Sequence, residues 1–254
     1  MQKSPTINNN KVTGNILVVL PKFIGDAINC TPVIKMLKDL YPHNKLLLLA
    51  RPNLVDIFQR DTSITVIEDE RFNKTQPISL FSQAKKIKNE NVEIAIILRN
   101  SLSEALLCFL AKVKYRIGYA QNGRSPFLSH KLKLNKNHHY LYRYCRLIAQ
   151  THELTLKEMP HTSLHFQNSL FIEKASNSIN VGLYFGGKNK KNRHYPNDLA
   201  AAAIEKIAAN NTNIHFSLIG DPSEKKDSEL LIEELNNPKI KISNLVGETS
   251  IVEM

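Results

Sequence analysis

Gly25 and Asp26 follow an apolar run, Ile16 to Leu20, and precede a helix-like pattern. A short apolar run bounded by turn signals reads as a buried parallel strand. The loop behind such a strand lies at its carboxyl end, where open α/β sheets place their ligands. Gly25 lets a ligand approach the backbone closely, and Asp26 sets a carboxylate at the mouth of the crevice. Two roles fit Asp26. As a helix N-cap it accepts a backbone N–H bond. As a general base it takes a proton from an incoming hydroxyl. The dipeptide alone does not choose between them.

A second group with chemical potential is the stretch Gly186-Gly187-Lys188-Asn189-Lys190-Lys191-Asn192-Arg193-His194-Tyr195-Pro196. Two glycines follow a strand pattern, and four cations precede a helix start. Glycine-rich turns and helix N-termini offer N–H groups to phosphate, and lysines add point charges. A solvated basic loop is the plainer alternative.

The third feature is an absence. From Ala105 to His152 there is no Asp or Glu, although the chain holds 23 acidic residues. The stretch carries Lys112, Lys114, Arg116, Arg124, Lys131, Lys133, Lys136, Arg143 and Arg146. Such a gap suggests a face that meets negative charge: sugar phosphates or carboxylates, an anionic bilayer, or nucleic acid. A nucleic-acid role needs a recognisable module or a stacking platform. Tyr140, Tyr142 and Tyr144 diverge on a helix and build none. No HExxH, GxSxG, GxGxxG, Walker A or CxxC pattern occurs. The adjacent His138 and His139 diverge on a helix and cannot chelate one ion. Glu68-Asp69-Glu70 reads as an exposed turn. No metal site and no cofactor are expected.

The elements that must position these residues alternate. Strands are expected at Ile16–Leu20, Lys45–Ala50, Ile64–Ile67, Glu93–Leu98 and Tyr115–Tyr119. Between them fall helix-like segments: one with Ile34, Leu37 and Tyr41 on one face, then Leu54–Arg60, Leu80–Asn89 and Ser103–Val113. Thr31-Pro32 reads as an N-cap followed by Pro at the first helical position, which leaves Gly25 and Asp26 in an approach loop. A long helix, His138–His152, turns Leu141, Tyr144, Cys145 and Ile148 inward. This alternation predicts a five-stranded parallel sheet covered by helices. The pattern weakens over 154–179, which reads as a linker between an N-terminal domain, 1–153, and a second unit, 180–254. In that unit strands are expected at Asn180–Phe185, Ile214–Ile219 and Ile240–Ile242, with helices at Pro196–Ala209 and Ser223–Leu235. Ser250-Ile-Val-Glu253 has capping-box spacing, so a helix is expected to begin there, and the second domain is expected to be incomplete.

Composition sets outer bounds. The chain has 254 residues, 42% of them hydrophobic, and a formal net charge of +11. That is enough for two modest domains and favours an anionic partner. Cys30, Cys108 and Cys145 are widely spaced and read as buried thiols in a reducing compartment. The polar first 14 residues predict no signal peptide, and no apolar stretch is long enough to span a bilayer.

Taken together, these stretches resemble the ADP-heptose:lipopolysaccharide heptosyltransferases, glycosyltransferase family 9. The most specific part is ILVVLPKFIGDAINCTPVIKMLKDLYP, from Ile16. Arg116-Ile-Gly-Tyr119 with Gly123-Arg124, the Gly186–Pro196 loop, Leu218-Ile-Gly-Asp-Pro-Ser-Glu224 and Leu245-Val-Gly-Glu-Thr-Ser250 match further family stretches. Two features depart from the family pattern: Tyr195 stands where Trp is usual, and the chain ends before the family's Asp-[Ser/Thr]-Gly-x-x-His segment. The resemblance implies a GT-B fold, two Rossmann-like domains, and inverting, metal-independent transfer of heptose from ADP-heptose to the Kdo or heptose of the lipopolysaccharide inner core. It implies Asp26 as catalytic base. It places Gly186, Gly187, Lys188, Lys190, Lys191, Arg193 and Glu224 at the donor phosphates, and Gly25, Arg116, Arg124 and Lys131 on the acceptor side. The implied place of work is the cytoplasmic surface of the inner membrane, without nucleic acid as partner. A catalytically silent chain that binds an anionic glycolipid is the alternative.

Overall fold

The computed structural model describes residues 6–156, 158, 161–165, 178–186, 195–211, 213–235 and 237–250. Contacts divide the chain into two units, 1–166 and 167–254.

The first unit is built on six parallel strands: β1 (Asn15–Val19), β2 (Leu46–Ala50), β3 (Thr65–Glu68), β4 (Val92–Ile97), β5 (Tyr115–Tyr119) and β6 (His130–Leu132). Their order is β3-β2-β1-β4-β5-β6. The sheet therefore has one strand more than the five expected. β6 is only His-Lys-Leu, too short for an alternation to register. Between the strands run α1 (Ile24–Ile28), α2 (Thr31–Leu40), α3 (Pro52–Phe58), α4 (Leu80–Asn89), α5 (Leu102–Leu110) and α6 (Tyr140–Thr151).

The apolar runs are continuous because both faces of the sheet are covered. Ile16, Val18, Leu20, Leu48, Ile94 and Ile96 pack into one layer with Ile34, Leu37, Tyr144 and Ile148. Leu17, Val19, Leu47, Leu49, Ala95 and Ile97 pack into the other with Ala84, Ile87, Leu107 and Cys108. The strand period of two is present but hidden by burial on both sides. The three cysteines are buried free thiols, and burial raises the pKa of each, that of Cys108 to about 12.

Leu156 and Leu164 also pack on the first unit's core. Ser163 N donates to Thr31 Oγ1 at 3.0 Å, and His165 Nε2 lies 3.4 Å from Asp61. Part of the expected linker is thus applied to the first unit.

At the end of α6, His152 is buried. Its Nδ1 lies 2.9 Å from Ile148 O, and its Nε2 lies 2.6 Å from Tyr41 Oη. A carbonyl only accepts, so Nδ1 carries the proton and Nε2 accepts from Tyr41 in the neutral ring. Burial holds the imidazole below its ordinary pKa. The unfolded chain therefore binds the proton more readily, and stability falls as pH drops through the ordinary histidine range, about 6.5. We expect His152→Gln to reduce the fall in Tm between pH 7 and 5, measured by calorimetry. An unchanged slope would remove His152 from the acid sensitivity.

The second unit holds a parallel sheet of described strands β7 (Ile179–Leu183), β8 (Ile214–Leu218) and β9 (Lys241–Asn244), in that order. Helices α7 (Asn197–Ala209) and α8 (Lys225–Leu235) pack with Phe216, Leu218, Ile240 and Val246 around one small core. The expected capping box beyond Ser250 falls on 251–254, outside the described residues.

Among the described residues, no helix is long and apolar enough to cross a membrane.

Candidate active site

β1 lies between β2 and β4, so the chain order reverses across the β1/β4 pair. In open α/β sheets the crevice beyond the strand ends at such a switch point is the usual ligand site. Here it is an open crevice of about 510 Å³, lined by the segments that leave four neighbouring strands. β1 supplies Pro21, Lys22, Phe23 and Asp26, β2 supplies Arg51, β3 supplies Phe72, and β4 supplies Leu98 through Ser101, with Ser103 and Glu104 beyond. Tyr140 and Tyr144 of α6 complete the wall.

Gly25 and Asp26 do not lie in an approach loop. They form the single turn of α1, in which Phe23 O accepts from Ala27 N and Gly25 O from Asn29 N. The N-cap is Phe23, with no side-chain cap bond, so Asp26 is not the cap. Its carboxylate makes no hydrogen bond among the described residues, and it is half-buried. Thr31 is likewise not a cap. Cys30 holds that position for α2, Pro32 lies within the first turn, and Thr31 Oγ1 donates to Ile28 O at 2.9 Å.

Behind the crevice lies a buried ion network. Asp69 and Glu104 are 0% and 1% exposed. Asp69 accepts from Arg71 Nε at 2.7 Å and from Arg99 Nη1 at 3.0 Å. Glu104 accepts from Arg99 Nη1 at 3.0 Å, Arg71 Nη2 at 3.2 Å and Ser103 Oγ at 2.9 Å. Arg99 Nε donates to Leu20 O, the carbonyl that ends the β1 apolar run, at 2.9 Å. Burial alone would raise the Glu104 pKa, but hydrogen bonds from Ser101 and Ser103 and the charges of Arg99 and Arg71 hold it below its ordinary value. Phe72 sits among three guanidinium groups, with Arg51, Arg71 and Arg99 at 3.7, 5.3 and 5.5 Å from its ring centre. The expectation of an exposed Glu68-Asp69-Glu70 turn is corrected at Asp69: Arg71, two residues on, and Arg99, 30 residues on, bond it in the interior, and the Arg99 partnership is one that local composition cannot show. Arg51 and Arg99 were missed by sequence reasoning. Each directly follows an apolar strand run, ending at Ala50 or Leu98, and so lies at the carboxyl end of the sheet, the same placement that singled out Asp26 beyond β1.

The expected acceptor cations are not gathered at this crevice. Arg124 is 0% exposed. Its guanidinium donates to Tyr119 O at 2.7 Å, Arg99 O at 2.8 Å and Asn100 Oδ1 at 2.8 Å. Burial brings its pKa down to about 10. A Cβ on Gly118 would lie 3.2 Å from Arg124 Nη2, so this glycine makes room for it. Arg124 thus braces the segment after β4 from behind and does not face a ligand. Arg116 stands near the amino end of β5, at the sheet edge opposite Asp26. Its guanidinium donates to Phe127 O at 2.6 Å and to Val113 O, which removes it from the acceptor side. Lys131 is exposed on the edge strand β6, away from the crevice lining. The acid-free stretch is explained in part by arginines that bond backbone carbonyls: Arg116, Arg124 and also Arg143, which donates to His138 O.

In the second unit, Gly187, Lys188, Lys190, Lys191 and Arg193 lie outside the described residues. The segments on either side of them are pinned together: Tyr195 N donates to Phe185 O at 3.3 Å, and the two rings stack with centres 5.7 Å apart. Glu224 is buried. Its Oε2 accepts from Asp221 N at 2.9 Å, closing a capping box at the single helical turn Pro222–Glu224. Its Oε1 has no hydrogen-bond partner among the described residues. A Cβ on Gly186 would lie 2.1 Å from that oxygen, so a side chain there requires the Glu224 carboxylate to move. The two residues line a small pocket with Asn197, Asp227 and Ser228. A carboxylate oxygen accepts and is repelled by phosphate, so the expectation of Glu224 at the donor phosphates is corrected: its carboxylate closes a turn on Asp221 N and offers phosphate no donor.

Residues 80–254 match the family described as glycosyltransferase family 9 (heptosyltransferase). The chain belongs to this family. Lipooligosaccharide heptosyltransferase 2 of Campylobacter jejuni serotype O:6 is 23% identical over 247 residues, covering 93% of this chain and 70% of its own length. The Haemophilus ducreyi lipooligosaccharide heptosyltransferase 2 is 27% identical over 150 residues, 57% of this chain and 41% of its own. Among solved structures, E. coli ADP-heptose lps heptosyltransferase II superposes with TM-score 0.77 at 17% identity, covering 94% of this chain and 74% of the other. E. coli heptosyltransferase WaaC with ADP-2-deoxy-2-fluoro heptose superposes with TM-score 0.67 at 17% identity, covering 90% and 76%. The heptosyltransferase-family chain is thus a glycosyltransferase of the GT-B fold class, with a large first sheet and a small second one. Among its described residues, no group of three or more His, Cys, Asp and Glu is placed to hold a metal ion.

Proposed function

We propose that this chain transfers heptose from ADP-heptose to the Kdo or heptose of the lipopolysaccharide inner core, with inversion and without a metal ion. The observation that carries the reading is the half-buried Asp26 carboxylate, uncommitted among the described residues, in the crevice at the β1/β4 switch point. The names of the similar heptosyltransferases support the sugar and the acceptor class.

In this reading Asp26 accepts the proton of an acceptor hydroxyl as its oxygen attacks the anomeric carbon. A new glycosidic C–O bond forms on one face. The bond to the diphosphate breaks on the other, and its electron pair leaves with ADP. Preorganised donors stabilise that growing charge, a role assigned here to the Lys188–Arg193 stretch. Glu224 Oε1 takes a hydroxyl of the donor nucleotide. The net charge of +11 draws the chain to an anionic bilayer, and we place its work on the cytoplasmic face of the inner membrane as a peripheral protein.

Two measurements follow. ADP release from ADP-heptose, followed with a coupled assay, is expected only when Kdo-lipid A or its heptosylated form is present. No release with any core acceptor would favour the silent glycolipid binder instead. Glu224→Gln keeps an oxygen for Asp221 N–H but removes the charge that a ligand hydroxyl meets. It is expected to weaken ADP binding about tenfold in calorimetry, the scale of one hydrogen bond to a charged group. Unchanged affinity would take Glu224 out of the donor site.

A further inference from the structure

The ion network behind Asp26 is one negative charge short. Three guanidinium groups, Arg51, Arg71 and Arg99, surround Phe72. Among the described residues, the carboxylates paired with them are Asp69 and Glu104, and both are already bonded to Arg71 and Arg99. The deficit falls on particular atoms. Arg99 is 7% exposed, and its Nη2 has no hydrogen-bond partner among the described residues. Arg51 Nε is also buried without a partner among the described residues. Buried donors without acceptors cost free energy, and a guanidinium more than a neutral group. Burial and the charge of Arg99 depress the Arg51 pKa more than the charges of Asp69 and Glu104 raise it.

Arg51 and Arg99 both line the Asp26 crevice, with Lys22 also in its wall. The neutral groups beside them are Asn100, Ser101 and Ser103. A planar oxyanion matches the fork geometry of guanidinium groups. One such group seated at Arg51 and Arg99 supplies the missing charge.

We propose that this crevice takes one singly charged carboxylate of the acceptor at Arg51 and Arg99, and that this contact sets the acceptor's register against Asp26. The inference rests on the reading of Asp26 as the acceptor's base but assigns recognition to different residues. It replaces Arg116, Arg124 and Lys131 as the source of acceptor charge recognition. Asp69, Arg71 and Glu104 are positioning residues that hold Arg99. With Lys22 and Asp26 of the wall included, Lys22, Arg51, Arg71 and Arg99 face Asp26, Asp69 and Glu104, an excess of one positive charge that favours a monoanion over a phosphate monoester.

The test is equilibrium binding of free Kdo to the full chain, without donor, by ligand-observed NMR. Arg51→Gln is the informative variant, because Arg51 stacks on Phe72 and its removal leaves the Asp69–Arg71–Arg99–Glu104 bonds in place. Kdo affinity is expected to fall tenfold or more in Arg51→Gln at unchanged Tm, and to recover in part in Arg51→Lys. The methyl ester of Kdo is expected to bind wild type at least tenfold more weakly than the acid. Equal affinity of wild type and Arg51→Gln for Kdo would overturn the proposal. So would inorganic phosphate binding more tightly than Kdo with the same dependence on Arg51, which would assign the site to a phosphate. Asp26→Asn is expected to leave Kdo binding intact. Transfer that survives in Asp26→Asn while Kdo still requires Arg51 would retain the anion site and reject the base.

Discussion

Asp26→Asn is expected to lower the rate of heptose transfer by about two to four powers of ten, the usual contribution of a positioned general base. The substitution keeps size and shape and removes only the ability to take a proton. Asp26 caps no helix, and its side chain makes no hydrogen bond among the described residues. The folded protein should therefore be as stable as wild type, and ADP binding should be unchanged. Steady-state kinetics with saturating donor and acceptor, alongside a thermal melt, separate the possibilities. A loss of kcat at constant Tm supports the assignment. A variant within a few fold of wild type would show that another group receives the proton.

Arg124→Leu is expected to act on stability rather than on acceptor recognition. The side chain is wholly buried and donates to Tyr119 O, Arg99 O and Asn100 Oδ1. Leucine leaves those acceptors without a donor, and each buried unpaired group costs about 1–3 kcal/mol. A loss of about 3–5 kcal/mol is expected, at the upper end for a single substitution. For a unit of this size that lowers Tm by roughly 10 °C, at about 2–4 °C per kcal/mol. Lysine should not rescue it, because one ammonium cannot reproduce the planar fork. Chemical denaturation of wild type and both variants is the measurement. A stable Arg124→Leu variant with weakened acceptor binding would instead return Arg124 to the ligand surface.

These two residues mark what the sequence could and could not tell. Asp26 was legible because a strand, a turn and a helix are each written in local pattern, and a parallel sheet puts the intervening residues at its ligand edge. The runs of β1, β2 and β4 were legible for the same reason, since burial on both faces leaves them apolar throughout. Arg124 was not legible: a buried arginine that ties the end of β5 to the segment after β4 looks, in sequence, like any surface cation. Asp69 failed the same way, because its partner Arg99 lies 30 residues on. β6 was missed through its length, and α1 because one turn has no periodicity to detect. Arg51 and Arg99 were within reach. The reasoning applied to the end of β1, extended to β2 and β4, names both.

The central claim is that Asp26 directs an inverting transfer of heptose. It is tested most directly by incubating the purified chain with ADP-heptose and a core acceptor, and determining the product's mass and anomeric configuration by mass spectrometry and NMR. The account predicts that the acceptor gains a single heptose residue, joined with the anomeric configuration opposite to that in the donor, and that Asp26→Asn forms no such product. A product that keeps the donor's configuration, or an inverted product formed equally well by Asp26→Asn, would contradict it.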